Sequence, residues 1–265
     1  MKESSGSGGW VVDEERVLRL CMQTGLLLLR YGGETSRVEE TMAHMAMGAG
    51  APPDSVQSFV TPTGIFISMT TDNGTLTHLT RVTGPATMNL EKVTLLNDLS
   101  RRLQRGNCTV DEAFAELDRI EQAPFIYPRW MQMVASALSS GSFTIILGGA
   151  GSDFLWGAVG GLIAQETTRW LTRYAPRFFS VLLASLLGAL LAVLSSAIGY
   201  THDEGAIIIG AILPLLPGLA VTNAIRDLLA GDLLAGVARG AEALFTSVAI
   251  AIAVAVAIGI SPRLT

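Results

Sequence analysis

The chain has 265 residues, 49% hydrophobic and only 15% charged, which excludes a disordered chain and argues against a soluble enzyme of ordinary composition. The charge is unevenly spread: 28 of the 41 Asp, Glu, Lys and Arg residues fall in positions 1–129 and 13 in the remaining 136, so the first half reads as soluble and the second as lipid-embedded. A net charge of −5 without a basic cluster excludes a nucleic-acid-binding role.

Residues 1–11 form a Ser/Gly-rich run without the apolar core of a signal peptide and are expected to be a disordered tail. A soluble α+β domain is expected over 12–123. Val17, Leu20, Cys21, Leu27 and Leu28 recur at helical spacing until Gly32-Gly33 stops them. Ser36 and Glu39 have capping-box spacing, which predicts a second helix with Val38, Met42, Met45 and Ala46 on one face. After Pro52-Pro53, residues 56–61, 65–71 and 75–82 read as strands, the last two joined by an Asn73-Gly74 hairpin turn. Leu90, Val93, Leu96, Leu99 and Leu103 restore the helical period, and Thr109 with Glu112 predicts a capped helix after it. Cys21 and Cys108 are too few and too far apart for a disulfide scaffold or a zinc site and read as free thiols.

Residues 124–130 serve as a connector, and 131–265 as a membrane domain. A helix needs about 20 apolar residues to cross a bilayer. Five spans are expected, at about 131–151, 154–171, 178–200, 206–225 and 241–260. With the amino terminus inside, Arg129, Arg169, Arg173, Arg177, Arg226 and Arg239 all adjoin the cytoplasmic side and only Arg263 lies outside, which selects that orientation. The fold class is therefore an α-helical polytopic membrane protein with an amino-terminal cytoplasmic α+β domain. Gly157 and Gly161, like Gly236 and Gly240, are spaced for close helix approach. Pro214, Pro217 and Gly218 in the middle of the fourth span predict a broken helix, an arrangement transporters use to bind polar solutes at depth. The polar cluster of Asn223, Arg226, Asp227 and Asp232 follows it. Arg226 is the best candidate to bind a substrate carboxylate, through the two parallel hydrogen bonds of a guanidinium, with Asp227 its alternative neutralising partner. Glu166 and Glu242 are the acids nearest the lipid core and the candidates for proton coupling.

Two stretches carry a resemblance to a known family: Gly32-Gly-Glu34-Thr35-Ser-Arg37-Val-Glu39-Glu-Thr41 with Thr61-Pro-Thr63-Gly-Ile65 and Ser68, and then Pro217-Gly218, Asn223, Arg226-Asp227, Gly231-Asp232, Gly236 and Arg239. The chain resembles the threonine/serine exporter family, specifically its amino-terminal half in the two-subunit branch that includes bacterial succinate exporters. The resemblance implies a multi-pass exporter of the bacterial inner membrane, carrying a small carboxylate or amino-acid substrate by proton-driven antiport without a cofactor. Full-length members resemble this chain plus a second membrane half. The resemblance therefore implies a small membrane partner of about four spans, with a homo-oligomer as the alternative, and it favours dicarboxylates over threonine and serine.

Other classes find less support. The Glu34, Thr35, Arg37, Glu39, Thr41 set is largely explained by a helix cap and exposed charges, and no nucleophile elbow, phosphate loop or paired metal ligands accompany it. A hydrolase using Thr61 or Thr63 as nucleophile, and a ligand-sensing subunit that gates a partner channel, remain the competing readings.

Overall fold

The computed structural model describes residues 13–71, 74–83 and 88–260. The expected 1–11 tail, Asn73 of the hairpin turn and Arg263 lie outside the described residues. The fold is mostly helical with one small sheet and divides into two compact units: the chain up to Pro124 together with Asn223–Arg239, and Phe125–Thr222 together with the chain from Gly240 onward.

Among the described residues, the first unit contains four complete helices, α1 (Glu14–Arg30), α2 (Thr35–Gly48), α3 (Leu90–Gln104) and α4 (Val110–Gln122), and three strands, β1 (Val56–Thr61), β2 (Gly64–Thr71) and β3 (Gly74–Arg81). The strands form an antiparallel meander in the order β1-β2-β3, with Val60 opposite Ile65 and Ile67 opposite His78. Alternation along β2 sends Ile65, Ile67 and Met69 to the helical side, where they are buried with Leu18 and Leu20 of α1, Met42 and Met45 of α2, Leu96 and Leu99 of α3 and Leu117 of α4. Cys21 lies in this core, where burial pushes its thiol up to about 12, so it stays protonated and unreactive at neutral pH.

The capping boxes divide into one that forms and one that does not. At α4 the Thr109 hydroxyl accepts from the Glu112 N–H at 3.3 Å and the Glu112 carboxylate accepts from the Thr109 N–H at 2.8 Å, as the spacing predicts. At α2 the Ser36–Glu39 box is absent. The helix starts at Thr35, its N-cap is Glu34 without a side-chain cap, and Glu39 instead accepts from the Val60 N–H of β1 at 2.8 Å. A backbone donor at the end of a strand competes successfully for that carboxylate.

The second unit contains α5 (Arg129–Ile146), α6 (Gly151–Leu171), α7 (Arg177–Ala197), α8 (Glu204–Ile212), a 3₁₀ turn (Leu213–Leu215) and the first residues of α9 (Gly218–Ala230), with most of α10 (Leu233–Ile260). α6 is the packing centre, touching α5, α7 and α8. The approach is close enough that a Cβ at Gly161 would overlap the Ser140 side chain, which is why small residues at four-residue spacing mark this helix. Asp153 is fully buried, accepting from the Ala150 N–H at 2.9 Å and from the N–H groups of His202 and Asp203 at 3.1 and 3.2 Å. One carboxylate thereby ties the α5–α6 loop to the α7–α8 loop, which satisfies backbone donors that would otherwise be buried unpaired.

Among the described residues, two helices, α7 and α10, are long and apolar enough to cross a membrane. The pair α8–α9 makes a third candidate if taken as one span, bent by 58° where Pro214 and Pro217 interrupt the hydrogen-bond ladder. α5 and α6 are of similar length but are diluted by Ser, Thr and charged side chains. The fifth predicted segment also changes: α10 begins at Leu233, eight residues before the apolar run at 241, because only Gly231 and Asp232 separate it from α9. Both α9 and α10 thus have one end in the first unit.

Candidate functional site

The motifs that lie at the two ends of the sequence meet inside the first unit. Asp227, on α9, is fully buried; its Oδ1 accepts from the Thr35 backbone N–H at 3.2 Å and its Oδ2 from the Thr35 hydroxyl at 3.3 Å. The first N–H groups of a helix have no partner within it, so this distant carboxylate serves as the cap that the local sequence of α2 does not supply. Arg239 on α10 balances it: Nε lies 3.1 Å from Asp227 Oδ2, as an ion pair rather than an aligned hydrogen bond, while Nη2 donates to the Gly33 carbonyl at 2.8 Å. Asn223 donates to the Gly32 carbonyl at 3.4 Å, and Arg226 pairs with Glu34. Apart from the Arg239–Asp227 ion pair, each of these contacts joins the Gly32–Thr35 turn to the segment from Asn223 to Arg239.

Two further acids adjoin this junction. Glu39 is held above the ordinary glutamate range by burial first and by the negative charge of Asp232 last, against the opposing Val60 N–H. Burial and then Asp227 raise Asp232 in the same way, and its Oδ2 is buried without a hydrogen-bond partner among the described residues. A carboxyl with a raised native value binds its proton more tightly when folded. Its stabilising contribution is therefore fully present below the unfolded value and is lost as pH rises through the folded one. Glu39→Gln keeps the oxygen that accepts from Val60 and removes the charge. The variant is expected to unfold at a higher temperature than the parent near pH 7, with the difference vanishing toward about pH 4, as measured by heat denaturation of the detergent-solubilised chain; a lower midpoint at pH 7 would refute this account.

The remaining predicted residues are distributed more widely. Arg37 and Thr41 face away from the junction on α2, at helical positions opposite Thr35 and Glu39. Thr61 and Thr63 belong to the β1–β2 turn, where the Thr61 hydroxyl both donates to the Gly64 carbonyl and accepts from the Gly64 N–H, each at 3.0 Å. Ser68 sits in β2 between Gln57 and Thr77. In the second unit, Glu166 pairs with Arg129 at 2.6 Å and lies 3.8 Å from Arg169, while Glu242 is 3.6 Å from Arg177 in an exposed pair. Pro214, Pro217 and Gly218 form the α8–α9 bend. Sequence reasoning missed Arg239 and Asp232 as parts of one site with Glu34 and Thr35. The only signal was their presence in the same family resemblance, since a spacing of about 190 residues carries no local periodicity.

A family profile described as "Putative threonine/serine exporter" matches residues 19–261. A Mycobacterium tuberculosis protein named "Probable threonine/serine exporter" is 26% identical over 253 residues, covering 94% of this chain and 47% of the relative. The Escherichia coli protein named "Probable succinate transporter subunit YjjP" is 26% identical over 245 residues, with 89% of this chain and 91% of the relative covered. A Corynebacterium glutamicum "Threonine/serine exporter" is 24% identical over 237 residues, with 86% and 48% covered. The chain thus spans about half the length of the two exporters and nearly all of the subunit. No solved structure matches it.

Proposed function

The chain belongs to the threonine/serine exporter family, and on that footing we propose that it is a subunit of a cytoplasmic-membrane exporter of small carboxylate metabolites, with a succinate-like dicarboxylate favoured. The observation that carries this reading is the Arg226–Glu34 pair. It is an exposed guanidinium held by a carboxylate through one nitrogen, and a substrate carboxylate can take that carboxylate's place and engage two guanidinium N–H groups at once. The α8–α9 bend supports it, because a helix interrupted among apolar segments frees backbone groups for a polar solute.

In this reading α5, α6, α7, the bent α8–α9 pair and α10 make five crossings of a bacterial inner membrane. The amino terminus is cytoplasmic, as the arginine distribution favours. Glu166 and Glu242 are the proton-coupling candidates, each beside an arginine. Asn223 and Asp227 position Arg226 through the Gly32–Thr35 turn. A small membrane partner of about four spans completes the exporter. Support for it comes from the relative of similar length, which is named a transporter subunit, whereas the relatives named as exporters are about twice as long.

Threonine or serine is the alternative substrate, since an amino acid offers the same carboxylate and the family's description names it. A hydrolytic role for the first unit is weaker, because the Thr61 hydroxyl is engaged by Gly64. The test is export of labelled succinate and labelled threonine from cells producing this chain with and without a four-span partner. Succinate export that needs both proteins is expected. Full export by the purified chain alone in vesicles would remove the partner, and export of threonine alone would select the other substrate class.

A further inference from the structure

The first unit contains a polar cleft of about 300 Å³ between α2 and α3 that the exporter reading leaves without a role. Arg37, Thr41 and His44 project from α2 at positions that share one face, and Asn97, Ser100 and Arg101 do the same from α3. This face of α2 is opposite the one that carries Thr35 and Glu39, so the cleft is separate from the Arg226 cluster. The helices are pinned together at their carboxyl-terminal ends. A Cβ on Gly48 would lie 2.7 Å from the Gln104 nitrogen and 2.8 Å from the Leu103 carbonyl carbon, so only glycine permits that approach.

The floor is buried and incompletely satisfied. Thr41 donates to the Arg37 carbonyl at 2.7 Å and lies 3.3 Å from Asn97 Oδ1, but the Ser100 hydroxyl, on a side chain only 2% exposed, has no hydrogen-bond partner among the described residues. A buried hydroxyl left unpaired is unfavourable, and one that lines a polar cavity is satisfied when a ligand brings an acceptor. The mouth is positive: Arg37 on one wall and Arg101 and Arg105 on the other make no ion pair among the described residues. Against these three guanidiniums stands one lining carboxylate, Glu40, which leaves two positive charges for a ligand to neutralise.

We propose that this cleft is a binding site for a small dicarboxylate, held between Arg37 and the Arg101–Arg105 pair with an oxygen directed at the Ser100 hydroxyl. Positive charge on two facing walls suits an anion charged at both ends better than a single phosphate, and the volume is at the small end of ligand pockets. Arg37 and Thr41 belong to the amino-terminal motif but take no part in the Asp227 junction, and the cleft accounts for them. The site is a property of the first unit and does not depend on what the chain exports.

The test is direct binding to the purified full chain in detergent at about 0.15 M salt, where long-range attraction between exposed charges is screened, with succinate, inorganic phosphate and threonine as probes. Saturable succinate binding is expected, weakened about tenfold or more by Arg101→Gln and by Arg37→Gln, as expected for loss of one charge-assisted contact. Arg102→Gln, outside the lining, should leave it unchanged. Because the replaced arginines are exposed, the variants are expected to fold, and unchanged melting without ligand verifies this. Absence of saturable succinate binding, preference for phosphate, or binding that is lost in Arg226→Lys but kept in Arg101→Gln would each overturn the proposal.

Discussion

Arg239→Met is expected to be the most damaging single change in the chain. It removes the cation beside a carboxylate that is fully buried and leaves the Gly33 carbonyl without its donor. Breaking a buried pair by deleting one partner is destabilising by about 3–5 kcal/mol, because the surviving charge stays in a low-dielectric site without compensation. The Asp227→Asn change should be milder, since the amide oxygen still accepts from Thr35 and caps α2. The diagnostic case is the double variant, Asp227→Asn with Arg239→Met, which removes both charges and should be more stable than Arg239→Met alone. Heat denaturation of the solubilised chain, with membrane abundance as a second readout, measures all three. Additive losses in the double variant would mean that Asp227 and Arg239 contribute separately and that the pair is not the fastening of this unit.

That fastening was largely invisible in the sequence, for a physical reason that the two capping boxes make plain. Thr109 and Glu112 satisfy each other within one turn, so their spacing is enough to locate the start of α4. Ser36 and Glu39 have the same spacing, yet α2 is capped by Asp227 from another part of the chain and Glu39 bonds to β1. Local spacing reports local competition only. The hydrophobic period of α1 and α3, the three strands and the proline break in α8–α9 were legible because each depends on residues within a few turns of one another. The start of α10 was not, because an apolar run marks where a helix meets lipid and not where its backbone begins; Leu233 to Arg239 are helical while carrying the polar side of the junction. Of the candidate site, Asn223, Arg226 and Asp227 were singled out from the sequence, but not their contacts in space, Gly32, Glu34 and Thr35.

Arg226→Lys and Pro217→Ala should separate transport from architecture. Lysine keeps the charge and an ion pair with Glu34, so folding and membrane abundance are expected to match the parent. It cannot present two parallel N–H donors to a carboxylate, and losing one charge-assisted hydrogen bond worth about 1.5–3 kcal/mol should lower export by about tenfold or more. Glu34→Gln tests the same exchange from the other side: with the resident carboxylate gone, half-maximal export should be reached at a lower internal substrate concentration. Pro217→Ala restores a backbone N–H and removes the ring that clashes with the preceding turn, so the 58° bend is free to straighten. The expected result is slower flux at equal or greater stability, because the backbone groups released by the break pair with each other instead of with the solute. Export rates of labelled succinate and labelled threonine, normalised to protein in the membrane, decide the matter. If Arg226→Lys and Pro217→Ala both export at the parental rate, the Arg226–Glu34 pair and the bend are scaffold. Substrate recognition then has to be sought among Glu166, Glu242 and the partner subunit.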